Sequence, residues 1–431
     1  MSSSGFNPKT DNLQYGGVSA LASVYNPIAE EIRDPDNYRY TFAGGLYSYI
    51  PYLDRGDATF KFFERMGRLS PTHGSCIKNI RTFAFGGGLV VNRKSDGFSD
   101  FEKTVVSDAE KTIFRDWVKS WTDTNNLLLT AEKIYGSFKT WGGSWLECIV
   151  TTVAGQKYIT YKNHDYDRGR FYADPDSENL TKYVLISPSF SPLFLSKNPP
   201  QIVPVYPAFT NEVNGVKRTI IHLKNETVGR TWYGEPDSVM ALYFEYLEYQ
   251  LGRYTVEGYN LDWVAKVFFE TFGDAEDTVA KAMFDEAIMQ CFTNQGTRKK
   301  SVMHKRSQVD AEPTKVHEFS ANTNEKFHES MSNIAAEQIY KAHDWHPMFS
   351  QKTAGSMGNS QEFREVFKMK YYTVIKPVQD KIFTAINTVL AIAEKELGYD
   401  NAAGLALGCD SLFMNLLLDE TAVTNTAAAQ P

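Results

Sequence analysis

The stretch from Gln351 to Leu390, QKTAGSMGNSQEFREVFKMKYYTVIKPVQDKIFTAINTVL, limits what this chain can fold into more than any other part of it. It opens with small, flexible residues, Thr353 to Asn359, among which Gly355 and Gly358 give the backbone the freedom a loop tip needs. Apolar residues then recur at spacings of three and four: Phe363, Val366, Phe367, Tyr371, Val374 and Ile375, followed by Val378, Ile382, Ala385, Ile386, Val389 and Leu390. That period predicts a long helix with one buried stripe. Pro377 is its single break; a proline inside a helix removes a hydrogen bond, so a kink is expected there. The loop offers no catalytic group. The whole element reads as mechanical, a flexible tip on a bent strut.

The length of 431 residues suggests two or three domains, or one elongated subunit of several parts. Aromatic residues reach 14%, which points to large buried surfaces or subunit interfaces. The formal charge of −7 argues against a general nucleic-acid coat, because such a protein must displace counterions with a basic surface. It is compatible with a wall past which nucleic acid slides without sticking. Cys76, Cys148, Cys291 and Cys409 are scattered with no CxxC pair, so reduced thiols in a cytoplasmic setting are expected, without a disulfide framework or a zinc site. The N-terminal residues lack the basic-then-apolar order of a signal peptide, and no run of roughly 18 apolar residues suggests a membrane span.

Along the chain, residues 1–35 are polar and read as a flexible arm. A helical pattern runs from Ala58 to Phe85 and stops at Gly86-Gly-Gly88, before a strand at Leu89–Asn92. A helix at Asp108–Ser120 carries Ile113, Trp117 and Trp121 on one face, and another covers Leu127–Thr140. Trp145–Val150 and Lys157–Tyr161 form a hairpin turning at Ala154-Gly155. Short strands continue to Thr219–Leu223, completing a mixed α+β body. Pro236 and Asp237 start a helix over Ser238–Tyr259, whose aromatics Tyr243, Phe244, Tyr246, Tyr249, Tyr254 and Tyr259 appear on more than one face. Beyond it come a strand at Val264–Phe269, a helix at Asp277–Thr293, a strand near Ser301–His304 and a helix at Asn324–His343. The final residues, Glu420–Pro431, read as disordered.

In this order the parts resemble the portal proteins of tailed bacteriophages, the ring-forming subunits at one capsid vertex. IIHLKNETVGRTWYGEPDSVMAL (Ile220–Leu242) is similar to the family's approach to a long stem helix. WVAKVFFE (Trp263–Glu270), the helix at Asp277–Thr293 and the strand near Val302 look like the clip. Glu325–His343 resembles the returning stem helix, Asp344–Asn359 the tunnel loop, and Gln361–Leu397 the kinked helix, with Lys376-Pro377-Val378-Gln379 at its break. Upstream, Ser70–Val91 and GGSWLECIV (Gly142–Val150) resemble wing elements.

The resemblance implies an α+β, portal-type elongated subunit. Its parts would be a wing at 36–235, stem helices at 236–260 and 323–343, a clip at 261–322, a tunnel loop at 344–360, a kinked helix at 361–397 and a short C-terminal crown region at 398–431. It implies a structural protein rather than an enzyme, without a cofactor or metal, working as a ring, usually a dodecamer, through which double-stranded DNA is packaged and ejected. The implied partners are the major capsid protein, the terminase large subunit and head–tail adaptor proteins. The implied location is the virion, after assembly in the host cytoplasm.

Gln351, Lys352, Thr353, Ser356 and Asn359 become candidates for sequence-blind DNA contact, against the plainer reading of a surface loop. The basic run with Arg298, Lys299, Lys300, Lys305 and Arg306 falls in the clip. It suits DNA phosphate or an acidic partner surface, or else a solvated strand edge whose lysines discourage pairing. His304, His317, His328, His343 and His346 cluster late in the chain without zinc spacing. Asn163–Arg170, with Asp165 and Asp167, reads as a charged hairpin turn. No GxxxxGK[ST] motif is present, so an ATP-driven step would belong to a partner. Two other classes remain in view: another capsid or tail component, and a nucleic-acid-processing enzyme.

Overall fold

The structure is a computed structural model that describes residues 40–41, 48–52, 58–93, 107–172, 183–228, 232–260, 267–272, 302–307, 315–318, 325–350 and 360–413. The chain forms two units: Met1–Leu242 together with Ile339–Pro431, and Tyr243–Gln338 inserted between them.

In the first unit, Tyr40–Thr41 (β1) pairs with Ser48–Tyr49 (β2). The helical pattern of 58–85 is two helices, Ala58–Leu69 (α1) and Pro71–Phe85 (α2). Ser70 divides them: its backbone is extended, its hydroxyl accepts from the His73 amide, and Pro71 sits where a missing N–H is harmless. Leu89–Arg93 (β3) follows the glycines. Asp108–Trp121 (α3) begins with a reciprocal Ser107–Glu110 capping box. The expected face of α3 is corrected: Ile113 is 61% exposed, whereas Phe114 and Val118 are buried and Trp117 stacks on Tyr399.

Thr124–Trp141 (α4) ends at Gly142, which is left-handed at φ 83; a Cβ there would lie 2.4 Å from the Glu235 backbone. Gly143–Val153 (β4) and Gln156–His164 (β5) form the expected hairpin, with Ala154 and Gly155 both at positive φ. Gly169–Phe171 (β6), Tyr183–Ile186 (β7), the short helix Pro192–Lys197 (α5), Gln201–Pro204 (β8) and Val216–Lys224 (β9) complete two sheets, ordered β5-β4-β9 and β6-β7-β8.

Between these sheets lies an aromatic core. Trp145 stacks on His222 at 4.3 Å, and Phe171 and Tyr166 pack around them. The Tyr166 hydroxyl accepts from the Gly234 amide and lies 3.1 Å from His222 Nε2, so it donates to a neutral imidazole. Burial holds His222 at a pKa of about 3, with Lys224 pushing the same way. The expected charged turn at 163–170 is therefore only half surface. Asp165 is exposed, but Tyr166 and Arg170 are buried, the Arg170 guanidinium sitting 4.4 Å from the Phe60 ring centre and 4.5 Å from that of Phe190.

The chain leaves this unit along Leu242–Asn260 (α6). Within the second unit, Val267–Phe272 (β10) pairs parallel with Val302–Ser307 (β11) and antiparallel with Lys315–Glu318 (β12), in the order β11-β10-β12. The strands expected at 264–269 and 301–304 start and end a few residues later, and β12 was not expected. The helix expected at Asp277–Thr293 lies outside the described residues. Glu325–Ala342 (α7) returns the chain, and His328 stacks on Tyr254 of α6 at 4.9 Å.

Back in the first unit, Ser360–Lys370 (α8) runs through one π-helical turn, Tyr371–Ile375, into Lys376–Leu397 (α9). Gly398 terminates α9 at φ 70, and Leu405–Cys409 (β13) pairs antiparallel with β3. Among the described residues, no helix is long and apolar enough to cross a membrane.

Candidate functional site: the feet of segment 351–359

The two ends of segment 351–359 are fixed by side chains from four parts of the first unit. On the upstream side, Asp344 adopts φ 47 and turns the chain out of α7. His346 then caps a short 3-10 turn, Pro347–Phe349, its Nδ1 accepting from the Met348 amide at 3.2 Å. Asn79 of α2 donates to the Phe349 carbonyl at 3.3 Å and to Ser350 Oγ at 2.8 Å. This foot is pinned by hydrogen bonds.

Downstream, α8 is held mainly by rings. Phe349 and Phe363 meet edge to face, their centres 5.3 Å apart, so the chain re-enters beside the point where it left. Phe83 of α2 lies against Trp345 at 5.4 Å, Phe349 at 5.2 Å and Phe367 at 5.9 Å. Phe413, just past β13, touches Phe83, Phe363 and Phe367. One ion pair crosses the feet, the buried Lys370 ammonium lying 2.7 Å from Asp344.

The π turn follows directly from Pro377. Without an N–H, Pro377 cannot donate to Thr373, and its ring would press on that carbonyl. Widening the preceding turn shifts the pairing by one residue: the Lys376 amide donates to Tyr371, five residues back. Pro377 itself is exposed. Tyr371 is buried at the turn, and burial, reinforced by the nearby Asp410 charge, pushes its hydroxyl up to about 12. Beyond the turn, Gln379 donates to the Ala84 carbonyl, and Asn387 bonds both the N–H and the C=O of Leu407. Glu396 accepts from Lys157 at 2.8 Å and Lys217 at 2.6 Å; burial opposes its ionisation, but the two ammonium partners outweigh it and lower the carboxyl.

The candidate loop residues Gln351, Lys352, Thr353, Ser356 and Asn359, and the basic residues Arg298, Lys299 and Lys300, lie outside the described residues. Lys305 and Arg306 fall on β11, in backbone register with Glu270 and Thr271 of β10. The late histidines do separate jobs. His304 and His317 are strand residues flanking β10. His346 is the cap already described. His343 turns inward, its Nε2 2.9 Å from His73 Nδ1. Burial, then the neighbouring His73 and Lys139, hold its pKa well below the ordinary value, so His343 stays a neutral ring against His73. His73, Asn79, Phe83 and Phe413 carry no site motif in the sequence. Only the apolar pattern of α2 hinted at any of them.

No family model matches the chain, and no curated protein matches it. Among solved structures, it is similar to a chain from the virion of a native gene transfer agent (GTA) particle, with TM-score 0.48, 15% identity, 86% of this chain covered and 90% of that chain. It is also similar to a chain from the neck of the native GTA particle computed with C12 symmetry, with TM-score 0.47, 15% identity, 85% of this chain and 89% of that one. A third such structure is the neck of the empty GTA particle computed with C6 symmetry, with TM-score 0.47, 14% identity, 85% and 86%.

Proposed function

We propose that this chain is a portal subunit: a ring of identical copies through which double-stranded DNA enters and leaves a phage-type capsid. One observation carries the reading. Two helices, α6 and α7, flank a small three-stranded sheet, and after segment 351–359 comes a long helix interrupted directly before Pro377. This is the order the sequence resemblance implies for stem, clip, stem, tunnel loop and kinked helix. The exposed large apolar side chains also favour it. On α6, Tyr243 is 57%, Tyr254 51% and Val256 60% exposed; on the interrupted helix, Met369 is 49% and Tyr372 62%. Side chains of that size left in water suit surfaces covered by neighbouring copies.

In such a ring the contact between copies is head to tail, and it closes when the rotation per subunit divides a full turn. With a net charge of −7, the channel wall repels phosphate, and sparse cations such as Lys352 supply brief, salt-sensitive contacts. The wing would meet the major capsid protein, and the clip, with its basic run, would meet terminase during packaging and the head–tail adaptor afterwards.

Negative-stain images of the purified full-length chain test this. Rings of near twelve-fold symmetry with a central hole are the expected result; monomers or flat sheets overturn it and favour another capsid or tail component. Assays for nuclease and ATPase activity on the same preparation should read background, and turnover would favour the enzyme class. In assembled particles, Lys352→Ala should leave the rings intact but change DNA retention or packaging yield. Equal yields would make the loop a passive one.

A further inference from the structure

Phe413 lies only four residues past β13, yet it reaches the segment's downstream foot on α8 and also Phe83, the ring against which the upstream foot packs. Its ring centre is 5.8 Å from Phe363, 5.8 Å from Phe367 and 5.3 Å from Phe83. The chain leading to it is held along its length. The Ser411 hydroxyl and the Leu412 amide both donate to the Phe83 carbonyl, at 2.8 and 3.0 Å. Asp410 exchanges bonds with the glycines after α2, accepting from Gly87 and donating to the Gly88 carbonyl. A Cβ on Gly87 would come within 2.5 Å of the Asp410 carbonyl, so this close docking requires glycine there.

From this arrangement we infer that the C-terminal return is a buckle: Phe413, seated by β13 and Gly86–Gly88, couples the two feet of segment 351–359 so that they open together. Phe349 touches Phe363 and Phe83, and Phe413 touches Phe363 and Phe83, so the four rings form one closed circuit. Removing one ring of the circuit withdraws support from both feet, although Phe413 has no ring contact with Phe349 among the described residues. Asn79, by contrast, bonds only the upstream foot. The buckle would tie together two feet that adjoin the residues which the portal reading puts against DNA. That consequence rests on the reading; the coupling itself does not.

Hydrogen exchange followed by mass spectrometry on the full-length protein reads the coupling directly. In Phe413→Ala, which loses three ring contacts, amides of 344–350 and of 360–370 should both exchange faster, by roughly threefold or more. Amides of β4 should not change. In Asn79→Ala, only 344–350 should quicken. Acceleration confined to 360–370 in Phe413→Ala, no acceleration, or an equal rise in β4 would each overturn the inference. If Phe413→Ala fails to fold, Phe413→Leu is judged by the same paired response at smaller amplitude. Because the readout involves neither rings of subunits nor DNA, its failure would leave the portal reading standing, and the reverse.

Discussion

The two halves of the interrupted helix obey the same apolar period and are held in opposite ways. Downstream of the π turn, α9 buries ten residues in a continuous stripe, and Gln379, Asn387 and Glu396 tie it to four other elements. Upstream, Phe367 and Lys370 are the buried residues among the described part of α8, and the hold comes from ring edges and one ion pair. Period alone does not say how firmly a helix is held; that depends on what lies opposite the stripe. Here the firm half is built into the sheet-bearing body, and the lightly held half adjoins the segment proposed to meet DNA. An element that must yield locally is drawn from the less stable end of a fold.

The contrast can be broken by measurement. Its largest consequence is in packing: Ile386→Ala, at a site 2% exposed, should cost about 2–5 kcal/mol, whereas Val366→Ala upstream should cost under about 1 kcal/mol. Denaturant titration of the two variants decides, and equal costs would erase the distinction.

Acid comes next. His222 has a folded pKa of about 3 against an ordinary value of roughly 6.5, so between these the unfolded chain binds a proton that the folded body refuses. Stability should therefore fall as pH drops below about 6.5, by at most about 1.4 kcal/mol per unit from this group. His222→Phe should be less stable at neutral pH, because Tyr166 loses its acceptor, but should show a flatter profile. An unchanged slope in thermal melts would mean other groups set the acid response.

A smaller effect is expected at Glu396, which fastens the far end of α9. Its depressed carboxyl contributes stability above the ordinary glutamate range of roughly 4.3, lost as pH falls below it. Glu396→Gln should cost about 1 kcal/mol near neutrality and remove that part of the acid loss. Smallest is Tyr372→Ser on the exposed side of the π turn, within about 0.5 kcal/mol for the folded chain. If neighbouring copies cover this side chain, sedimentation should show fewer assembled rings. Undiminished assembly would leave Tyr372 a bare surface residue.

Local signals were legible in the sequence where neighbouring residues decide the structure. The β4–β5 hairpin followed from Ala154-Gly155, α3 from the charged stretch that opens at Asp108, and the break at Pro377 from proline's missing donor. What the sequence could not display was the form of that break, a widened turn rather than a lost bond, because this depends on the carbonyl finding a partner one residue further on. Distant partners were hidden for a plainer reason. Leu405–Cys409 is a five-residue apolar run whose partner, β3, lies more than 300 residues earlier, as its pairing of Cys409 with Leu89 shows. Arg170 looked like surface charge, but its guanidinium is buried against the rings of Phe60 and Phe190, which lie far from it in sequence. Ile113 fitted the α3 stripe by spacing, but Phe114 and Val118 took the inward positions. At the candidate site only the long helix after it was legible; the anchors of its flanks, Asn79, Phe83 and Phe413, were not, since they lie far from it in sequence or beyond β13.

The pairing of β13 with β3 also governs timing. A ribosome has made β3 early, yet its pairing strand follows more than 300 residues later, so the body cannot close until Leu405–Cys409 has emerged. The inserted unit, contiguous from Tyr243 to Gln338, is free of this delay. A subunit truncated before Leu405 would leave a sheet edge and an aromatic pocket open, and so carry its own mark of incompleteness.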